Sequence, residues 1–221
     1  MGKKKTGKHQ RKTNELSIGM YDPLKLKVRR AGAVVIDWYI ASVLAAIPVT
    51  FWLRGGESIH AGSFELSTYG MEKGLIFAGI VFVLAFLYYV AVPCFVWQGQ
   101  TLGKKICGIR VIRMDGNEVS LWDMVKREVI GAGIVEGGFS VIGTYLRQLL
   151  PLFGFVSLFT PAKYLSYVLT VASIIVAMFD KKSRAIHDKI GNTVVIRAVY
   201  GLLSEKEGKQ KCLILRLFFC H

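Results

Sequence analysis

The sequence predicts an all-α membrane protein of about four transmembrane helices, with an amphipathic helix and a short cytoplasmic β-hairpin or loop layer. Three observations carry that reading. First, 52% of the 221 residues are hydrophobic, and they gather into runs that can cross a hydrocarbon core of about 30 Å, which takes roughly 20 helical residues. Second, the net charge of +14 clusters beside those runs. Placed there, it reads as a topology signal and a contact for anionic lipid headgroups. A nucleic-acid surface does not fit, because no basic fold motif interleaved with aromatic residues is present. Third, a single carboxylate, Asp37, interrupts the first run. A charge there costs on the order of 3 kcal/mol, so it is a functional-site hypothesis by default.

The chain divides into a basic disordered cytoplasmic tail over 1–28, a transmembrane domain over 29–197 and a C-terminal cytoplasmic tail over 198–221. The N-terminal tail has no short apolar core and no small-residue cleavage site, so it does not read as a cleavable signal. Lys25, Lys27, Arg29 and Arg30 flank the first span and hold the N-terminus in the cytosol.

Span one is predicted over about 31–53, ending at Trp52 and Leu53. Arg30 and Asp37 are seven residues apart, nearly two turns, so they share a face about 10 Å apart along the axis. Ala33 lies between them and leaves room for another helix. The weakly acidic loop that follows fits the outside. Span two is predicted over about 75–97, with Tyr88, Tyr89 and Trp97 as packing or interfacial anchors and a kink at Pro93.

A polar insert follows, with Gln100, Thr101, Gly103, Lys104 and Lys105 at its head. Gly99, Gly103 and Gly108 let it turn, and the two lysines fix topology. It lacks the first glycine and the hydroxyl of a phosphate loop. Ile109 and Val111 alternate with arginines as in a strand, and Asp115-Gly116 signals a tight turn, so a small hairpin or an extended loop is expected here. Asp115 and Glu118 are turn and surface residues in this reading.

Ser120 with Asp123 starts the amphipathic helix. Leu121, Trp122, Val125, Val129 and Ile130 form its apolar side, and Asp123, Lys126, Arg127 and Glu128 its polar side. Span three is predicted over about 139–160, weakened in front by Gly131, Gly133, Gly137 and Gly138. Two arrangements fit its charges. Either Glu136 lies at the interface with Arg147 turned inward to a carboxylate, or Arg147 is the buried partner of Asp37. Pro161 starts a turn and span four covers about 164–179. Basic residues after it return the chain to the cytosol, consistent with an even number of spans.

His187 beside Asp188 invites an acid–base role. No nucleophile or metal set accompanies it, so it reads as a structural hydrogen-bonding pair. Cys94, Cys107, Cys212 and Cys220 lack metal-ligand spacing and read as reduced structural thiols; no cofactor is implied.

Three stretches resemble the RDD family of bacterial membrane proteins: Arg30-x-x-Ala33-x-x-x-Asp37; Gly99-Gln100-Thr101-Leu102-Gly103-Lys104-Lys105-x-x-Gly108-Ile109-Arg110-Val111 with the later Arg127-Glu128; and Arg184-Ala185-Ile186-His187-Asp188-Lys189-x-Gly191-Asn192-Thr193. Together they span Arg29 to Arg197. The segment from Arg127 to Asp180 is longer than in compact members. The resemblance implies a multi-pass protein of the bacterial plasma membrane, not an enzyme, with transport of ions or small solutes the usual proposal. Arg30, Asp37, Asp188 and Arg147 are then the candidate polar centre. Gln100, Thr101, Gly103, Lys104, Lys105, Arg127, Arg184, His187 and Thr193 are the candidate motif residues. The expected partners are the bilayer, anionic headgroups, a second copy or another membrane protein. One function is exchange of a monovalent cation for a proton at Asp37. The other is a scaffold in which Arg30, Asp37 and Asp188 form a static lock.

Overall fold

The computed structural model describes residues 23–48, 50–51 and 65–198. The predicted tails over 1–22 and 199–221, and the expected end of span one at Trp52 and Leu53, lie outside them.

Helix α1 runs Pro23–Pro48, starting six residues before the predicted boundary at Arg29. A proline at a helix start has no N–H to leave unsatisfied. Ala33, Asp37, Ala41 and Ala45 are buried, one per turn, so the packed stripe of α1 is three alanines and one acid. Lipid is as apolar as leucine, so helices in it associate by close packing, and small side chains permit that.

A 3₁₀ turn at Leu66–Tyr69 precedes α2, which covers Met71–Phe86 and continues in π-helical geometry over Leu87–Val96. Span two therefore begins earlier than expected. Pro93 sits within the widened part, where a missing N–H interrupts the ordinary ladder. The amide of Leu66 donates to Gln148 Oε1 at 3.1 Å, which fastens this entry to a later helix.

Short helix α3 (Leu102–Ile106) leads into strand β1 (Ile109–Arg113). Gly116 turns the chain as predicted, with φ 80° and its N–H on Arg113 O at 3.0 Å. The expected hairpin does not form. β1 pairs antiparallel with β2 (Thr193–Arg197), with Val111 opposite Val195. The turn is local, but the partner strand arrives from the closing motif.

Helix α4 covers Leu121–Met124 and continues as a π-helix over Val125–Glu136. The predicted cap is present: Ser120 and Asp123 form a reciprocal capping box. Gly137, at φ 64°, ends the helix, and α5 (Val141–Leu152) follows. Helix α6 runs Val156–Phe179, so Pro161 lies inside a helix and not at a turn. Short α7 (Ile186–Ile190) precedes β2.

Among the described residues, three helices are long and apolar enough to cross a membrane: Leu24–Pro48, Met71–Val96 and Val156–Phe179. Leu121–Glu136 and Val141–Leu152 meet at 48° and make a fourth span if counted as one broken helix. The predicted amphipathic helix and third span are thus two arms of one bent unit. The break also removes any common helical phase between Glu136 and Arg147, which is lost across Gly137–Ser140.

Of three apolar clusters among the described residues, Ile112, Val194 and Ile196 form one within the sheet, and the other two join the helices. One joins α1, α2 and α5 through Ala41, Ala45, Phe77, Val81, Val141 and Tyr145. The other packs α1, the end of α2, α4 and the sheet through Ala33, Val90, Ile109, Met124 and Val195. Helix α6 buries only Ser166, Thr170 and Ser173 and turns its large apolar side chains outward. That is the inverse of a soluble helix and is what a lipid solvent favours.

Candidate functional site

The starts of α1 and α4, the ends of α2 and α6, and the sheet meet at one end of the bundle. The basic run entering α1 ties them together. Lys27 donates to Met178 O at 2.8 Å and Arg29 to Cys107 O at 2.7 Å; Arg30 donates to Ser183 O. The run thus satisfies carbonyls left open where other segments end, besides any part in topology.

Asp37 forms the first polar centre. It is 4% exposed. The Tyr88 hydroxyl donates to Oδ1 at 2.5 Å, the Thr101 hydroxyl to Oδ2 at 2.5 Å and the Gly103 N–H to Oδ1 at 2.9 Å. Tyr89 donates to the Asp37 carbonyl at 3.1 Å. Thr101 is also the N-cap of α3, with its oxygen accepting from the Lys104 N–H. Gly103 makes the approach feasible: a Cβ there would lie 2.7 Å from both Asp37 Oδ1 and the Ala33 carbonyl oxygen. Among the described residues no cation contacts Asp37. The expected pairing with Arg30 fails because a shared helix face still leaves two turns between the side chains.

Asp188 forms the second centre and is fully buried. Arg30 NH2 and the Ala185 N–H donate to Oδ2, the latter at 3.0 Å. Arg127 donates to Oδ1 through both Nε at 3.0 Å and NH2 at 2.8 Å, so one carboxylate oxygen accepts two charge-assisted bonds. Burial alone would raise this carboxyl, but the guanidiniums of Arg30 and Arg127 override it and hold Asp188 well below the usual carboxylate range. Arg127 also donates to Glu128, which accepts from Lys104 Nζ at 3.2 Å. Arg127, Glu128 and Lys104 are all buried. The polar side predicted for the amphipathic helix therefore faces inward at Arg127 and Glu128, and Lys104 is an ion-pair partner, not a surface charge.

Glu136 forms the third centre, at the break in the bent span. Its Oε1 accepts from the Ser173 hydroxyl at 2.6 Å, the His187 N–H at 2.9 Å and His187 Nδ1 at 2.9 Å. Arg147 reaches neither Asp37 nor another carboxylate. Its NH1 donates to Gly137 O at 2.6 Å and its NH2 to the Thr144 hydroxyl at 3.3 Å. The guanidinium thus braces the carbonyl exposed by the helix break, and both arrangements expected for Arg147 are corrected.

The remaining motif residues are structural. Gln100 donates to Ile109 O at 2.8 Å, and Thr193 to Asp188 O at 3.4 Å. Arg184 pairs with Asp180 at 3.6 Å, and Lys105 lies 4.2 Å from the Trp97 ring centroid. Cys94 and Cys107 are free thiols, and burial pushes the Cys107 thiol up, away from reactive thiolate. Cys212 and Cys220 lie outside the described residues.

Sequence reasoning missed Tyr88, Glu128 and Ser173. Two adjacent tyrosines in a span without charge were the available signal, because buried phenol hydroxyls need acceptors. Among the described residues, no group of three or more His, Cys, Asp or Glu side chains could hold a metal ion. Chemically, the arrangement separates an acid held by neutral donors from an acid locked between two cations.

The RDD family profile matches residues 27–192. The chain is 27% identical over 184 residues to the uncharacterized protein YckC of Bacillus subtilis (strain 168), covering 83% of this chain and 91% of that protein. No solved structure matches. The matched region takes in Asp37 and the Arg30–Asp188 pair that ties the first helix to the closing motif, and the chain is a membrane protein that belongs to the RDD family.

Proposed function

We propose that the protein exchanges a monovalent cation for a proton across the membrane, with Asp37 binding both in turn. The supporting observation is the neutrality of its surroundings. Asp37 is buried in a membrane helix, yet its contacts come from two hydroxyls and one amide. A carboxylate in such a setting is stabilised by a proton or a cation, and hard monovalent cations take oxygen ligands of the kind that Asp37, Thr101 and Tyr88 supply. Asp188, by contrast, already has two guanidinium partners and no vacancy for a third. In this reading Arg30, Arg127 and Asp188 are framework and Asp37 is the exchanging group.

The same reading makes the protein non-enzymatic and sets the basic end of the bundle in the cytosol, in the plasma membrane, by the positive-inside rule. Four spans leave little room for an inverted-repeat transporter, so the exchanging unit is an oligomer surrounded by anionic lipid.

The test is cation flux into liposomes holding purified protein under an imposed pH gradient. Wild type exchanges, and Asp37→Asn, checked for fold by size exclusion, does not. Undiminished flux in Asp37→Asn removes Asp37 from the mechanism. Absence of flux in wild type favours the second reading, a membrane scaffold or assembly partner. That reading draws on the clamp at Asp188, which joins the first helix to the closing motif irrespective of any cargo.

A further inference from the structure

The contacts of His187 fix where its ring proton sits. Nδ1 lies 2.9 and 3.0 Å from the two oxygens of Glu136, and an ionised carboxylate only accepts, so Nδ1 carries a hydrogen. Nε2 lies 3.3 Å from Arg127 NH2, and a guanidinium only donates, so Nε2 is the bare acceptor. A ring with one proton therefore carries it on Nδ1. Its side chain is 18% exposed, whereas Asp188 beside it is sealed, so solvent protons reach the histidine first.

A second proton, on Nε2, reverses the sense of that contact. Two N–H groups and two positive charges then face each other. Asp188 Oδ1 lies 3.6 Å from Nε2, beyond a hydrogen bond, and Arg127 already occupies it with Nε and NH2. The charged groups around the ring are Arg127, Glu128 and Glu136 from α4 and Asp188 from its own helix, with Arg30 of α1 behind it; the Ser173 hydroxyl of α6 rests on Glu136 and the Thr193 hydroxyl of β2 on the Asp188 carbonyl. An Nε2–H set 3.3 Å from Arg127 NH2 would put donor against donor, so a second proton requires Arg127 to shift.

Arg127 does not move alone. It holds Glu128, Glu128 holds Lys104 Nζ, the Lys104 N–H rests on Thr101 Oγ1, and Thr101 donates to Asp37. Every link is a direct contact, and each ion pair shares an atom or a residue with the next.

We propose that His187 is a proton-binding site whose second proton displaces Arg127 from Asp188 and, through Glu128 and Lys104, loosens the Thr101 contact to Asp37. Only the last link rests on the exchange reading of Asp37. The rest concerns the motif layer alone and is read without flux, so failure of one leaves the other identifiable.

The test uses full-length protein in nanodiscs with His9, His60 and His221 changed to Gln, which leaves one ring, labelled with ¹⁵N. At high pH the spectrum shows Nδ1 protonated and Nε2 bare. Between pH 8 and 5 the ring takes one more proton. Over that range, after correction for intrinsic pH dependence, amide hydrogen exchange at residues 186–190 and at Gly103 accelerates at least tenfold. His187→Gln in the same background abolishes the acceleration. An Nε2–H ring at high pH, a ring that gains no proton over the range, or exchange that follows pH equally in His187→Gln overturns the proposal. If His187→Gln does not fold, the ring spectrum and the exchange at those amides decide it without that variant.

Discussion

Replacing Asp188 with Asn is the sharpest test of how the first helix is held to the closing motif. The side chain is fully buried and accepts four hydrogen bonds: Arg30 and the Ala185 N–H on one oxygen, Arg127 Nε and NH2 on the other. An amide fits the same space but keeps only one accepting oxygen. Whichever way it turns, its NH2 group faces two donors, and at least two bonds are lost. Hydrogen bonds to charged groups contribute about 1.5–3 kcal/mol each, which puts the loss at about 3–6 kcal/mol. Breaking a buried ion pair by removing one partner costs about 3–5 kcal/mol by an independent route. At about 2–4 °C per kcal/mol for a chain of this size, thermal unfolding in detergent falls by roughly 6–20 °C. The assay can use Cys94 and Cys107, half-buried free thiols that react with a fluorogenic maleimide as the bundle opens. The control is Asp180→Asn just ahead of that motif: its ion pairs with Arg184 and Lys189 are long and partly exposed and contribute at most about 1 kcal/mol, and the amide oxygen still accepts from the Lys182 and Arg184 N–H groups. If Asp188→Asn lowers the transition by no more than Asp180→Asn does, the two-guanidinium clamp does not hold the fold and the reasoning fails.

Gly103→Ala puts a methyl group against the Asp37 carboxylate and the Ala33 carbonyl oxygen, 2.7 Å from each. Overpacking of that kind costs about 1–3 kcal/mol, visible in the same melting assay, while Gly79→Ala, where a Cβ meets open space, leaves the transition within about 2 °C. Tyr88→Phe removes one of three donors to a buried carboxylate and destabilises by about 1.5–3 kcal/mol, and adding Asp37→Asn to it costs less than the sum of the two single changes. Asp188 also sets an acid limit. Its folded-state carboxyl lies below the unfolded value, so its contribution is complete above the ordinary carboxylate range of about 4 and is lost as pH falls from there towards the depressed folded value. Melting temperature against pH therefore declines more steeply below about pH 4 in wild type than in Asp188→Asn.

What the sequence discloses and what it withholds divides along the range of the interactions. The spans are legible because hydropathy and length are local properties, and the Ser120–Asp123 box and the Gly116 turn are legible for the same reason. The burial of Asp37 is legible too, since a lone acid in an apolar run has few alternatives. Its partners are not, because Tyr88, Thr101 and Gly103 come from later elements whose approach depends on the stripe of alanines in α1. β1 has the alternation of a strand, but nothing near it says that β2 lies beyond α6. The place of Arg147 is not legible for a different reason: a buried guanidinium calls for a carboxylate by composition, and only the helix stop at Gly137 supplies the carbonyl it takes instead. Arg127 and Glu128 look like a solvent face by composition, and only the arrival of Lys104 and Asp188 makes their burial tolerable.

The tie between Arg30 and Asp188 has a consequence for biosynthesis. The two residues are 158 positions apart, so at ordinary translation speeds of about 5–20 residues per second the arginine waits roughly 8–30 s for its acid to be made. Through that interval the first helix is in the bilayer without its anchor, and β1 waits likewise for its mate. A nascent chain cut short before the closing motif has every span and no latch. Completion of the polypeptide and closure of the bundle are therefore one event, and a protease that recognises unlatched helices needs no other mark of an unfinished molecule.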